Sequence, residues 1–334
     1  MPNVGFFGYG YWGPNLVRNF YATKDAKVVK VCDLRKERLG LVETSYPSVK
    51  TTTDYKELMK DPQIDCVVIS TPVSAHFPLA QEALENGKHV FLEKPMTTTV
   101  AESEKLIELA EKKKRVLMVD HTFLYTGAVR KMKEVIQKGE LGDIYYFDSV
   151  RVNLGLFQHD INVIWDLAPH DFSIMDYLLQ KKPEAVSAIG VSHLGDLENI
   201  AYITVQYPGN VLGHIHVNWL APVKVRTTLI GGTKKMIVYD DNEPSEKVKI
   251  YDKGVSWTEK KEDVYQILVQ YRTGDMLCPK LDSTEALKLV CKEFIDSINE
   301  NRKPMTDGQA GLRVVKLLQS ANESVKQKGK VIQL

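Results

Sequence analysis

The hydrophobic rhythm of the chain changes near His121. Before it, short β-branched apolar runs alternate with longer amphipathic stretches, the pattern of βαβ units on a parallel sheet. The runs predict strands at Val4–Gly8, Lys27–Asp33, Cys66–Ser70, His89–Leu92 and Val116–Asp120. Between them, helices are expected near Gly13–Ala22, Arg35–Ser45, His76–Asn86 and Ala101–Lys113. This half reads as a doubly wound, Rossmann-type α/β domain.

Beyond His121, strand-like alternation dominates. A helix near Gly127–Lys138 precedes a long strand at Ile144–Asn153 and a helix through Ser173–Leu179. Further strands are predicted at Glu184–Val191, Asn199–Gln206, Val211–Trp219, Val223–Ile230 and Lys235–Tyr239. Gly209-Asn210 and Gly231-Gly232 supply hairpin chemistry between them. The charge-rich stretch Asp240–Asp263 reads as exposed hairpins or loops, and helices near Thr284–Glu300 and Gly308–Gln327 close the chain. The second half is thus expected to be α+β, an open mixed or antiparallel sheet with helices on one face. The change of rhythm divides the chain into domains 1–121 and 122–334.

With 334 residues, 43% hydrophobic and 26% charged, the chain can bury two cores as an ordinary globular enzyme. A formal net charge of +1 gives no field that would select nucleic acid or an anionic membrane. Met1-Pro2-Asn3 leads straight into a strand rather than a secretory leader, and no apolar run reaches the roughly 18 residues of a membrane span. Cys32, Cys66, Cys278 and Cys291 lack metal or redox spacing. The expectation is a cytoplasmic protein with reduced thiols and no metal.

Gly8-Tyr9-Gly10-Tyr11-Trp12-Gly13 falls between the first strand and the first helix, where a dinucleotide fingerprint must sit. Its glycines allow a tight turn, close backbone approach to a pyrophosphate, and close helix–strand packing; the helix N-terminus faces the phosphates. Asp33, about 20 residues beyond Gly13, is placed to bond the ribose hydroxyls of NAD and repel the added phosphate of NADP. Arg35 complicates that choice, because a guanidinium could stack on adenine or accept the phosphate. NAD is the expected cofactor.

Two further groups carry chemistry. Glu93-Lys94-Pro95 follows a buried strand, at the carboxyl edge where open α/β sheets bind ligands, which brings Lys94 to the nicotinamide. In Trp165-Asp166-Leu167-Ala168-Pro169-His170-Asp171, Pro169 suits the first turn of a helix and Asp166 its N-cap. His170 would then feel the positive helix end and stay neutral, ready to take a proton. Capping and a packed histidine are the structural alternatives for these two.

The fingerprint, Glu93-Lys94-Pro95 and Asp166-x-x-x-His170, in this order, resemble the Gfo/Idh/MocA oxidoreductases over essentially the whole chain. The resemblance implies a Rossmann domain followed by an α/β domain whose open sheet carries the substrate face and an oligomer interface, as homodimer or homotetramer. It implies active-site roles for Lys94, Asp166 and His170, and a cofactor groove that includes Thr71, Pro72, His76, Glu93 and His121. Within the family, Gly10–Asn15, His121–Tyr125, Trp165–His170 and Pro222–Arg226 look most like UDP-N-acetylglucosamine or UDP-N-acetylglucosaminuronate 3-dehydrogenases. On that likeness Lys224 and Arg226 would meet a diphosphate or uronate, or else be solvated charges; Arg151 and Asn153 carry the same two readings, and Tyr125 joins them at the substrate. The implied activity is NAD-dependent oxidation of a secondary alcohol on a sugar, a nucleotide-linked one on the narrower likeness. The alternatives are an NADPH-dependent ketosugar reductase and a non-catalytic NAD(H) sensor.

Overall fold

The computed structural model describes residues 1–155, 157–158, 160–257 and 269–334. The end of the charge-rich stretch, at 258–263, lies outside the described residues. The chain divides into two compact units, Met1–Tyr125 with Thr284–Gln319, and Thr126–Ser283 with Ser320–Leu334.

The first elements are β1 (Asn3–Phe7), α1 (Gly13–Tyr21), β2 (Lys27–Cys32), α2 (Lys36–Ser45), β3 (Lys50–Thr52) and α3 (Tyr55–Met59). They continue with β4 (Cys66–Ile69), α4 (His76–Glu85), β5 (His89–Leu92), α5 (Val100–Lys113) and β6 (Leu117–Val119). Next come α6 (Gly127–Gln137), β7 (Ile144–Leu154), α7 (Val163–Leu179), β8 (Ala185–Val191), β9 (Ile200–Tyr207), β10 (Val211–Asn218) and β11 (Leu220–Gly232). The remainder is β12 (Met236–Asp240), β13 (Val248–Tyr251), β14 (Gly254–Trp257), β15 (Val269–Arg272), β16 (Met276–Leu277), α8 (Ala286–Asn299), α9 (Gly308–Lys326) and β17 (Ile332–Gln333).

In the first unit six strands pair in the order β3-β2-β1-β4-β5-β6, all parallel. The order reverses between β1 and β4, which makes the carboxyl ends of those strands the place for a ligand. The strands are apolar on both faces because helices cover both. Phe20 of α1 meets Phe6 and Phe91 edge-on, each at 5.6 Å between centroids. Phe294 of α8 completes the cluster, 5.5 Å from Phe91 and 6.1 Å from Phe20. This packing explains why 284–319 groups with the first unit, whereas hydrophobic rhythm divided the chain contiguously at 121. A close approach of α9 adds to it: a Cβ on Gly311 would lie 2.7 Å from Met96 Sδ and from Val119 Cγ2.

The second unit is built on a nine-stranded sheet, β16-β13-β12-β11-β7-β10-β9-β8-β17. Most pairs are antiparallel, but β10 runs parallel to β7, so the sheet is mixed. Ala201, Ile203, Val205 and Tyr207 of β9 alternate inward beneath α7, and Gly213 of β10 lets Met175 approach. The opposite face leaves Ile189, Tyr202 and Leu212 exposed. Helix α7 starts at Val163, well before the expected Ser173, because Asn162 caps it: its side chain accepts the Trp165 N–H at 3.1 Å. Within Asp240–Trp257 the expected loops contain β13, whose Val248 and Ile250 are buried.

Phe294→Ala removes the ring that joins α8 to Phe91 of the sheet and Phe20 of α1. It is expected to lower the stability of the first unit by about 3–5 kcal/mol, read by chemical denaturation.

Candidate active site

The glycine turn follows β1 as the fingerprint requires. Gly8 has φ +94°, and a Cβ there would stand 2.6 Å from the Ser70 carbonyl oxygen. A Cβ on Gly13 would stand 2.6 Å from the Gly8 oxygen, so the third glycine permits α1 to leave at once. Around Gly10 the nearest atom to such a Cβ is Arg35 Nη2 at 3.5 Å, which leaves the backbone open to a ligand. Helix α1 begins with no side-chain cap and no acidic residue in its first turn, so its leading N–H groups remain available to an anion. Tyr11 is exposed and Trp12 partly so. These features fit the pyrophosphate of a dinucleotide.

Asp33 sits just past β2 as expected, and it is buried. Its carboxylate accepts the Tyr9 N–H at 2.7 Å and the Arg35 N–H at 2.9 Å. The Arg35 side chain adds Nε at 3.1 Å and Nη2 at 3.2 Å. Burial alone would raise the Asp33 pKa, but Arg35 and the two backbone N–H groups hold it below the usual carboxylate range. A carboxylate has about four lone-pair sites, and four donors already meet this one. Arg35 is exposed, so its guanidinium can move aside or offer its own donors to a ribose substituent.

Lys94 stands beyond β5, half-buried, ahead of a cis peptide bond to Pro95. Its N–H donates to Glu93 Oε2 at 3.0 Å. Glu93 itself is buried, beside Asp120 of the neighbouring strand end. His76 braces the backbone on both sides of the groove expected there. Buried, it sets Nδ1 2.9 Å from the Pro95 carbonyl oxygen and Nε2 3.0 Å from that of Thr71. Burial lowers its pKa despite those two acceptors. The ring therefore ties the Thr71-Pro72 segment, half-exposed after β4, to the turn that follows Lys94. His121 is buried with neither ring nitrogen hydrogen-bonded among the described residues, and burial pushes its pKa down to about 3. Tyr125, expected at the substrate, is buried against Thr306 with its hydroxyl 3.3 Å from Oγ1.

In the second unit, Asp166 and His170 are one turn apart on α7 and both are half-buried. Asp166 is not the N-cap, and Pro169 lies inside the helix rather than in its first turn, since Asn162 has already started it. His170 is therefore two turns from the helix start, beyond the first turn where the dipole acts. What fixes Asp166 is Trp219, whose indole N–H donates to Oδ2 at 3.1 Å. Ser173 Oγ donates to the His170 carbonyl at 2.8 Å.

Arg151 departs furthest from expectation. It is buried and donates through Nε to Asp171 Oδ2 at 2.7 Å and through Nη2 to Oδ1 at 3.2 Å, with Ser149 Oγ on Oδ1 at 2.7 Å. These bonds pin α7 to β7. Arg226 stands opposite Arg151 in the β7–β11 ladder and pairs with Asp241 at 3.2 Å. A register shift between Leu220 and Val225 interrupts β11 just before it, leaving Lys224 exposed. Asn153 is half-buried. Asp120, Trp219 and Asp171 were not singled out by sequence, although Asp120 ends a predicted strand beside the one that ends at Glu93.

A parallel sheet in this order, with an open glycine turn and a carboxylate after β2, defines a dinucleotide-binding oxidoreductase. Residues 2–121 match the model described as "Oxidoreductase family, NAD-binding Rossmann fold", and residues 129–238 match the GFO/IDH/MocA C-terminal domain. The chain belongs to the GFO/IDH/MocA family and is an NAD(P)-dependent oxidoreductase with an NAD-binding Rossmann domain. It is 34% identical over 179 residues to an uncharacterized oxidoreductase YdgJ of Escherichia coli, a match that spans 50% of each chain. It is 25% identical over 346 residues to the scyllo-inositol 2-dehydrogenase (NADP(+)) IolW of Bacillus subtilis, covering 97% of this chain and 94% of that one. Among solved structures, the UDP-N-acetylglucosamine 3-dehydrogenase GnnA of Acidithiobacillus ferrooxidans has the same fold, with TM-score 0.81, 22% identity and 98% of each chain covered. No helix among the described residues is long and apolar enough to cross a membrane.

Replacing Arg151 by Met leaves Asp171 buried without its cation and is expected to cost about 3–5 kcal/mol in a denaturation experiment. Adding Asp171→Leu should recover most of that loss.

Proposed function

We propose that the protein oxidises a secondary alcohol of a sugar, nucleotide-linked in its full substrate, with NAD as the partner. The observation that carries this reading is the α7 pair: His170, half-buried, one helical turn from an Asp166 whose carboxylate is held by Trp219. In this reading His170 takes the hydroxyl proton as general base and Asp166 orients the substrate hydroxyl or the imidazole. Lys94, held through its backbone by Glu93, stabilises the developing alkoxide and orients the ribose. Gly8, Gly10 and the start of α1 hold the pyrophosphate, Asp33 and Arg35 the adenosine ribose, and Thr71-Pro72 the groove after β4. Bound NAD supplies the hydride acceptor. Lys224, exposed beside the β11 register shift, and Arg226 are the cations offered to a diphosphate or uronate. The inositol and sugar-nucleotide dehydrogenases among its relatives support the substrate class. The open sheet face with Ile189, Tyr202 and Leu212 exposed is the surface for a homodimer or homotetramer.

Cofactor choice turns on Asp33 and Arg35. Asp33→Asn is expected to weaken NAD binding roughly tenfold to a hundredfold in calorimetry, as lost charge-assisted hydrogen bonds would. Arg35→Ala should leave NAD binding in place while weakening NADP. Tighter binding of NADP than NAD by the natural protein would instead favour an NADPH-dependent ketosugar reductase.

The base is tested by kinetics across a panel of sugars and sugar nucleotides. His170→Asn should lower kcat by roughly 10²–10⁴-fold and remove the acidic limb of its pH profile. Lys94→Met should lower turnover while leaving that limb in place. The assignment of base is wrong if the limb disappears with Lys94→Met and survives in His170→Asn.

A further inference from the structure

Strands β5 and β6 run in register, with Leu92 beside Val119, so the next residues, Glu93 and Asp120, are neighbours. They are 8% and 1% exposed. Their N–H groups continue the ladder, Glu93 to the Ile69 carbonyl at 2.9 Å and Asp120 to the Leu92 carbonyl at 2.8 Å. One oxygen of each carboxyl has a donor: Glu93 Oε2 takes the Lys94 N–H, and Asp120 Oδ1 takes the Thr122 hydroxyl. The others, Glu93 Oε1 and Asp120 Oδ2, meet no donor among the described residues. The register thus sets two buried carboxyl groups side by side, each with one oxygen that no donor among those residues meets. Ionised carboxylates only accept, so the two can satisfy each other only if one of them carries a proton.

We propose that Glu93 and Asp120 share one proton, as a buried acid pair of single negative charge that positions Lys94 against the glycine turn. Glu93 holds the Lys94 backbone, and Trp12 of the glycine turn acts on Asp120, favouring its ionised form. The functional half of this inference rests on the oxidoreductase reading of Lys94. Glu93 and Asp120 are positioning residues in it.

The surroundings favour one charge rather than two. Burial raises the Glu93 pKa well above the ordinary value, and the neighbouring Asp120 raises it further. Burial raises Asp120 as well, against the pull of Glu93, Thr122 and Trp12. Of the other titratable groups, Cys291 of α8 and Tyr125 interact with Asp120 and are raised chiefly by burial, so each stays neutral; His121, next in sequence and lowered chiefly by burial, is neutral too. Lys94 acts on both carboxyls as the opposing cation. A folded carboxyl with a raised pKa holds its proton where the unfolded chain has lost it. Its contribution to stability is therefore complete at acid pH and declines as pH rises past the ordinary glutamate range toward the folded value.

Infrared spectroscopy of the whole protein carrying isotope-labelled Asp and Glu tests the pair at pH 8. A protonated-carboxyl band is expected in the natural protein and should be lost in both Glu93→Gln and Asp120→Asn, because an amide supplies its own N–H and lets the partner ionise. Absence of the band in the natural protein overturns the proposal. So does a band that survives either single substitution, since the proton would then belong to one residue. The band is read without substrate, so it decides the pair even where turnover fails. For positioning, Glu93→Ala should lower kcat/KM more than tenfold and Glu93→Gln should recover most of it. A Glu93→Gln enzyme no better than Glu93→Ala contradicts the positioning role.

Discussion

Four parallel strands of the first unit end level with one another. Phe7, Ile69, Leu92 and Val119 are direct neighbours across β1, β4, β5 and β6, so the residues that follow, Gly8, Ser70, Glu93 and Asp120, form a row. Backbone bonds extend the ladder one step into that row, from Ser70 to Phe7 at 2.8 Å and onward through Glu93 and Asp120. Ser70 Oγ donates to the Gly8 carbonyl at 2.8 Å, which ties the row's first two members. The register thus decides where the glycine turn, the Thr71-Pro72 segment and Lys94 begin. A slip of one residue would turn each of these side chains to the opposite face of its strand.

The row holds because its base is rigid. Phe6 and Phe91 come from β1 and β5, Phe20 from α1 and Phe294 from α8, and their edge-on packing keeps strand ends and helix in one arrangement. The second unit solves a similar problem with charge. Arg151 and Asp171 fasten α7 to its sheet, and Trp219 fixes Asp166, so a helix carrying His170 is held by polar contacts at both flanks of the residue. Buried ion pairs are costly to desolvate, and here the return is placement of one helix.

Much of this was legible in the sequence where local chemistry suffices. The alternation of apolar runs and amphipathic stretches pointed to the parallel sheet, and the spacing of Gly8, Gly10 and Gly13 pointed to a tight turn between β1 and α1, with Asp33 just past β2. Short polar elements escaped: Lys50-Thr51-Thr52 forms an edge strand without an apolar run, and Tyr55–Met59 is a helix of little more than one turn. Tertiary partners were illegible for a different reason. Pro169 and Asp166 looked like a helix start because both suit one, whereas Asn162 had already capped it. For Arg151, read as either a substrate contact or a solvated charge, strand parity does not reveal the bond to Asp171. His76 and Glu93 sit in the motifs that the family resemblance marks, yet they act on the backbone around Lys94.

The oxidation proposed for this chain has NAD as hydride acceptor and the α7 histidine as base. Incubating the protein with NAD and substrates bearing deuterium at the alcohol carbon, drawn from sugars, inositols and nucleotide sugars, tests it most directly. The account predicts deuterium at carbon 4 of the nicotinamide, with the transfer lost in His170→Asn. Tight NAD binding without label transfer from any of these alcohols would contradict it.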